Sequence, residues 1–222
     1  MKTLTQAQRR KAIKFKTPFA DAVARLRWEA LSKPDFDPAN LFVWGYMMGL
    51  GLLEMLRAVE DRFGQEGQQV ATQALVRLGE RVAEEGLKGV RIPKDLSDVE
   101  KISLFCTWIN EVPYASVEKP KIDSPEQCSF DILWCPHEDM YNAFDCRIQR
   151  YIVEGMIRAT SKRLGMGNFQ VAFETTIPAG APVCHFRLWR RKAGEPDAWT
   201  TYSKKLGDRA LTGPRSPQAQ RQ

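Results

Sequence analysis

Several common functional motifs are missing from this chain of 222 residues. Nothing resembles a glycine-rich phosphate loop or a dinucleotide fingerprint, because the glycines at 45, 49 and 51 lie inside an apolar run. The chain has no C-x2-C pair, so cysteine spacing alone gives only a weak indication of a metal site. It also has no helix-turn-helix, zinc-finger or RNP signature, and we expect no nucleic-acid partner.

Long hydrophobic runs are missing too. The longest, Leu41 to Leu53, has 13 residues and contains three glycines, whereas a helix that spans a bilayer needs roughly 20 residues. We therefore predict that this segment is a buried helix and that the protein has no membrane partner. The first 19 residues are basic but lack the apolar segment and the cleavage site of a secretory signal. We expect a cytoplasmic protein.

The distribution of charge and the number of cysteines give further information on binding partners and on the state of the thiols. The net charge is +6, but much of the excess lies at the two ends of the chain, and the middle is nearly balanced. Five cysteines, an odd number, without an export signal favour reduced thiols, so each is either core filler or a site residue. Cys106 lies in an apolar stretch, and we assign it to the core. The partner that we expect is a small-molecule substrate or ligand, and a homodimer is possible.

The chain is long enough for one sizeable core. Two prolines in Lys33–Pro38 indicate a loop that separates an N-terminal helical segment, 1–38, from the rest. We predict a single α+β small-molecule-binding domain over 39–205 and a disordered basic tail over 206–222.

Apolar periodicity predicts helices in the first half of the chain, over 5–31 with a break at Pro18, over 40–63, over 66–86 and over 97–111. Gly64 supplies a left-handed stop between two of them. Ser97 and Glu100 form the capping-box pattern at the start of the last.

The second half of the chain alternates in the manner of strands. It predicts a strand over Cys128–Trp134, a helix over 138–164, a hairpin of 169–174 with 183–189, and a short strand over 199–202. Helices followed by strand, helix and hairpin predict an α+β fold, in which an antiparallel sheet packs on helices.

Cys135-Pro136-His137 lies at the junction between the predicted strand and the predicted helix. A thiol near a helix N-terminus has its thiolate favoured, and a neighbouring His can act as a base or a metal ligand. The alternative is that Cys135 is buried strand filler and His137 a surface residue. Asp131 is likewise open to two interpretations, since it lies either on the open face of the strand or in a pocket that shifts its pKa.

Two further cysteines belong to the same half of the chain. Cys146 follows on the predicted helix, and Cys184 shares a strand face with Phe186, so that it most simply points into the core. Packing of strand, helix and hairpin could bring these thiols to His137 and Glu174, a set that zinc would accept.

These residues carry a family resemblance. Arg62–Gly67 followed by an amphipathic helix, then Trp134–Pro136, Cys146 and Gly180–Phe186 resemble the L-2-amino-thiazoline-4-carboxylic acid hydrolase-like family over roughly residues 55 to 190. The resemblance implies a hydrolase that acts on a small heterocyclic or carboxylate-bearing substrate by ring-opening C–N hydrolysis. Cys135 would then be the nucleophile or a ligand and His137 the general base, with Asp131 or Glu174 in an orienting role.

The last part of the chain also looks like the vinyl-reductase-type ligand-binding domain, which implies a vinyl-reductase-like sheet. In such domains zinc is held by a helix Cys, a hairpin Glu, a Cys three residues beyond it and the Cys of a Cys-x-Phe strand. By this resemblance Cys146, Glu174 and Cys184 would be metal ligands, whereas Ile177 stands in the fourth position. The alternative function it implies is a small-molecule or tetrapyrrole-pathway binding module without catalysis.

Overall fold

The computed structural model describes residue 8 and residues 13–212. Its helices are α1 (Ala20–Leu26, continued by a π-helical turn over Arg27–Leu31), α2 (Ala39–Leu87), α3 (Asp98–Glu111), α4 (Arg147–Leu164) and α5 (Ala198–Thr212). Its strands are β1 (Val117–Ser124), β2 (Gln127–Trp134), β3 (Phe169–Thr175) and β4 (Cys184–Arg190). They form one antiparallel sheet in the order β1-β2-β4-β3, which confirms the α+β prediction.

Two local signals in the first half are confirmed. The long helix α2 is interrupted at Gly64, whose φ of 57° and ψ of −136° suit glycine, so the predicted stop separates two helical segments. At the start of α3 the Ser97 side chain accepts from the backbone N–H of Glu100, and the Glu100 carboxylate accepts from that of Ser97. The capping box thus satisfies N–H groups that the first helical turn leaves open.

One hydrophobic core lies between the inner face of the sheet and the helices. Phe130 of β2 stacks on Phe186 of β4, and both belong to the same buried cluster as Phe105 of α3 and Tyr151 of α4. Cys106 is buried in this cluster, as predicted. The sheet therefore has one face packed on helices and one face that carries polar side chains.

Two predicted elements are wrong in type or extent. The helix after β2 begins at Arg147 rather than at Glu138, because the Asn142 side chain accepts from the N–H groups of Phe144 and Asp145 and holds a turn there. The strand predicted over 199–202 is part of α5, where the N–H groups of Trp199 and Thr200 donate to the Asp197 carboxylate.

The sheet also contains β1, which the sequence did not predict. Its proline and its charged residues hide the alternation that a strand pattern needs.

The ends of the chain differ from expectation where they are described. Residues 206–212 are helical, as part of α5, and not disordered; residues 213–222 lie outside the described residues. The first predicted N-terminal helix falls mostly on residues 1–7 and 9–12, which also lie outside. After Pro18 a helix does follow, beginning at Ala20.

The apolar run Leu41–Leu53 is helical as predicted, but only its last residue, Leu53, is buried. Among its large side chains, Phe42, Val43, Trp44 and Met47 are all exposed. By length and composition α2 is apolar enough to cross a membrane, but one such helix is only weak evidence for a membrane protein. We expected this helix to be buried because an apolar helix usually packs in a core. In the structure, most of its surface contacts no other residue of the described chain.

Candidate functional site

The candidate site lies in the turns between the end of β2 and the start of α4. Cys135 follows the last residue of β2, and its carbonyl accepts from the Glu138 N–H at 3.1 Å. The Glu138 carboxylate in turn accepts from the Cys135 N–H, also at 3.1 Å. This reciprocal pair fixes the backbone on which the Cys135 side chain is carried.

Cys135 and His137 are adjacent in space. The thiol Sγ is 3.9 Å from His137 Nδ1, and the imidazole stacks on the Tyr141 ring at 5.2 Å between centroids. Burial raises the pKa of the Cys135 thiol above its ordinary value of 9.0, against a backbone hydrogen bond from His137 that lowers it. Burial also lowers the pKa of His137 below 6.5. At neutral pH the pair is therefore a thiol beside a neutral imidazole, which can accept a proton.

Cys146 and Cys184 join this pair. Cys146 is the residue that precedes α4, and burial raises its pKa to about 12, with further contributions from Cys135, Cys184 and Asp145. Burial raises the pKa of Cys184 as well. Cys135 and Cys184 are both close enough to Cys146 to raise its pKa, and Cys184 also raises that of Cys135. The structure thus brings together four of the predicted site residues.

Asp131 and Glu174 lie elsewhere, on the solvent-facing side of the sheet. His185 is held between them, with Nδ1 at 2.6 Å from Asp131 Oδ1 and Nε2 at 3.7 Å from Glu174 Oε2. Arg187 donates from Nε to Glu174 Oε1 at 3.0 Å. Asp131 is therefore on the open face, the first of its two interpretations, and it orients His185 rather than His137.

The zinc set implied by the vinyl-reductase resemblance does not fit these positions. Glu174 pairs with Arg187, away from Cys146 and Cys184. Ile177, in the place of the expected fourth ligand, donates its backbone N–H to Cys184 Sγ at 3.2 Å. Within residues 13–212 no three His, Cys, Asp or Glu side chains are grouped so that they could hold a metal ion.

Sequence reasoning missed several residues of the site. Glu138 holds the Cys135 backbone, and Tyr141 stacks on His137; burial raises the pKa of Tyr141 to about 12. Burial also raises the pKa of Tyr114, to which Cys135 and Tyr141 contribute. Glu138 could have been found from its position three residues after Cys135, the spacing of a capping carboxylate. Tyr114 could not, because it precedes the strand that was not predicted.

Comparison with known proteins gives two matches. A family model described as L-2-amino-thiazoline-4-carboxylic acid hydrolase matches residues 47–188, a segment that contains all three site thiols and His137. A protein of Archaeoglobus fulgidus, described as uncharacterized, is 43% identical over 211 residues, which cover 91% of this chain and 92% of that protein. The family resemblance read from the sequence is thereby confirmed.

Proposed function

Because the chain belongs to the L-2-amino-thiazoline-4-carboxylic acid hydrolase family, we propose that it is a hydrolase that opens a small, carboxylate-bearing heterocycle at the Cys135–His137 pair. The observation that supports this most is the 3.9 Å separation of Cys135 Sγ and His137 Nδ1 in a half-buried site. A nucleophile next to a base is the arrangement that covalent hydrolysis requires.

The burial of both groups suits them to this chemistry in different ways. The lowered pKa of His137 keeps its imidazole neutral at pH 7, so it can accept the thiol proton. The raised pKa of Cys135 means that the thiolate is not present in advance and forms as the proton moves to His137.

The proposed reaction has two steps. In the first step the Cys135 proton passes to His137, and Cys135 Sγ bonds to the ring carbon that lies between two heteroatoms. The bond from that carbon to the ring nitrogen then breaks, and His137 returns the proton to this nitrogen. Water then adds to the same carbon, with one proton taken by His137, and the carbon–sulfur bond breaks to give back the Cys135 thiol. One water is consumed and no oxidant or reductant is needed.

Turnover of L-2-amino-thiazoline-4-carboxylate by the full chain tests the proposal. We expect Cys135→Ala and His137→Ala each to lower the turnover number by roughly 10²- to 10⁴-fold. Cys106→Ala, which removes a buried thiol outside the site, is the matched control and should retain turnover. Melting curves of all three variants separate loss of chemistry from loss of fold.

Unchanged rates in both site variants would rule out the proposed nucleophile and base. A wild-type protein that binds this compound, as seen in a raised melting temperature, but does not convert it would instead be a binding module. We also propose a cytoplasmic location, which the five free thiols of the described chain support, since a reducing compartment preserves them.

A further inference from the structure

The most unusual surface of the described chain is an exposed apolar helix. No residue from Phe19 to Leu52 is buried, although this stretch contains α1 and the first part of α2. Eight large apolar side chains between Leu41 and Met55 are more than a third exposed: Leu41, Phe42, Val43, Trp44, Met47, Met48, Leu50 and Met55. An exposed apolar patch of this kind marks an interaction site. We call it the apolar patch.

Only one side of this helix contacts the rest of the protein. Gly49 faces Met140 and Tyr141, and Leu53 and Leu56 enter the core. The opposite side presents a stripe at helical spacing, formed by Trp44, Met47, Met48, Gly51 and Met55. Nothing lies within 4 Å of where a Cβ on Gly51 would be, so a second helix could approach closely there.

The remainder of the chain has little with which to cover the patch. The residues outside the described part, 1–7, 9–12 and 213–222, contain only two large apolar side chains, Met1 and Leu4. Two side chains are too few to cover the eight exposed side chains of the patch. These residues therefore do not supply the cover.

A lipid bilayer fits this helix poorly. Leu53 is buried in the protein core, so at most the residues from Leu41 to Leu52 could enter a membrane, about 18 Å of helix against the roughly 30 Å of a hydrocarbon layer. A helix lying in the interface needs a charged face rich in Lys and Arg, and no charged residue occurs between Asp37 and Glu54.

We propose that the apolar patch is the docking surface for a second copy of this chain. The exposed parts of its eight side chains amount to roughly 800 Å², if a fully exposed large side chain contributes about 150–250 Å². This is about the area that each partner buries in an interface of standard size. A second copy brings an equal apolar area with the same helical stripe, and the lack of charge on both sides leaves nothing to repel it.

The patch also adjoins the candidate site. A Cβ on Gly49 would lie 3.0 Å from Met140 Sδ and 3.6 Å from the Tyr141 hydroxyl. Both residues belong to the same turns as Cys135 and His137, and the Tyr141 ring also stacks on His137. A second copy packed on α2 would hold the helix against these turns. Assembly is therefore expected to support the site without supplying a residue to it.

Sedimentation of the full chain, over protein concentrations from about 1 to 100 μM, tests the proposal. We expect a dimer in this range. Trp44→Glu and Met47→Glu each place a charge on the stripe, and each should raise the dimer dissociation constant by roughly 30-fold or more. Both side chains are more than half exposed in the single chain, so the variants should melt at the same temperature as the wild type when monomeric.

Val70→Glu is the matched control, because it puts the same charge on an exposed apolar residue of α2 outside the patch, and it should remain a dimer. A wild-type monomer at the highest concentration would overturn the proposal, as would two stripe variants that stay dimeric. Cosedimentation of a monomeric wild type with phosphatidylcholine and phosphatidylglycerol vesicles would assign the patch to a membrane instead. None of these results depends on turnover, so the dimer can fail while the proposed hydrolase stands.

Discussion

Burial acts on the two central site residues in opposite chemical directions. It disfavours the thiolate of Cys135 and the imidazolium of His137, and the neutral pair that results is what a base-assisted nucleophile starts from. Neither group carries a charge that would need a partner in the half-buried turns. The polar residues of the sheet's open face, in contrast, are paired with one another and exposed to solvent.

The raised pKa of Cys135 predicts slow alkylation at neutral pH. Because the pKa of the folded protein lies above the ordinary 9.0, the reactive thiolate appears only as the pH rises past that value. We expect the rate of iodoacetamide labelling at Cys135, followed by peptide mass spectrometry, to have its midpoint above pH 9. Cys106, fully enclosed in the core, serves as the unlabelled reference. A midpoint below pH 9 would mean that the thiolate is stabilised in advance.

Glu174 tests whether the open face takes part in the chemistry. Glu174→Gln removes the charge that Arg187 and His185 contact while keeping the shape of the side chain. Since this ion pair is exposed, we expect the free energy of unfolding to change by no more than about 1 kcal/mol, and turnover to be retained. Cys135→Ala, at the candidate site, is the comparison and should lower turnover. Loss of turnover in Glu174→Gln would mean that the open face takes part in the chemistry.

At the scale of elements, the closest packing in the fold is between α2 and α4. A Cβ on Gly79 would collide with the Ile152 carbonyl oxygen, and one on Gly155 would collide with that of Val76. The two glycines thus permit the helix backbones to touch. This contact fixes the start of α4, and therefore Cys146, relative to the long helix.

Gly79→Ala should accordingly destabilise the protein by about 1–3 kcal/mol or more, since neither backbone can move without opening the core. Gly45→Ala is the control in the same helix, where nothing lies within 4 Å of the new Cβ. There we expect unfolding free energy to stay the same or to rise by about 0.5–1 kcal/mol, because alanine is the better helix former. Urea denaturation measures both, and equal effects would contradict a tight crossing.

The elements that the sequence predicted are those with a strong local signal. Gly64 and the Ser97–Glu100 box act within one helical turn. The β3–β4 hairpin has a strand pattern on both sides of its turn, in spite of a register shift between Phe173 and Thr175, so these elements needed no tertiary information. The start of α4 depended on the Asn142 side chain, which competes with helix, and β1 depended on pairing with β2. The position of Glu174 on the open face, away from the thiols, depended on the sheet as a whole.

At the scale of the whole molecule, the larger of two buried clusters joins the two halves of the chain. The buried cluster extends from Leu53 in α2 to Leu206 in α5, so helices and sheet should unfold together. The apolar patch lies outside this core. The helix that carries the patch packs on the core at one end only. The apolar pattern predicted burial, because apolar helices are usually buried, and that prediction was wrong here.

A buried ion pair also connects the halves. Arg147, at the start of α4, donates to Glu60 of α2 at 2.7 Å, with both side chains almost completely enclosed. Arg147→Met leaves the Glu60 carboxylate in the core without this cation, and we expect a loss of about 3–5 kcal/mol in the free energy of unfolding. Lys121→Met, which breaks an exposed pair with Asp123, should change it by less than about 1 kcal/mol.

The double variant Arg147→Met with Glu60→Leu separates the two parts of that loss. If the cost of Arg147→Met comes mainly from a carboxylate left in a dry site, replacing both partners by apolar side chains should recover much of the stability. Thermal and urea unfolding of the single and double variants form a mutant cycle that measures the coupling. A double variant no more stable than Arg147→Met would mean that the loss of the ion pair itself, and not the cost of a buried carboxylate without Arg147, accounts for the destabilisation.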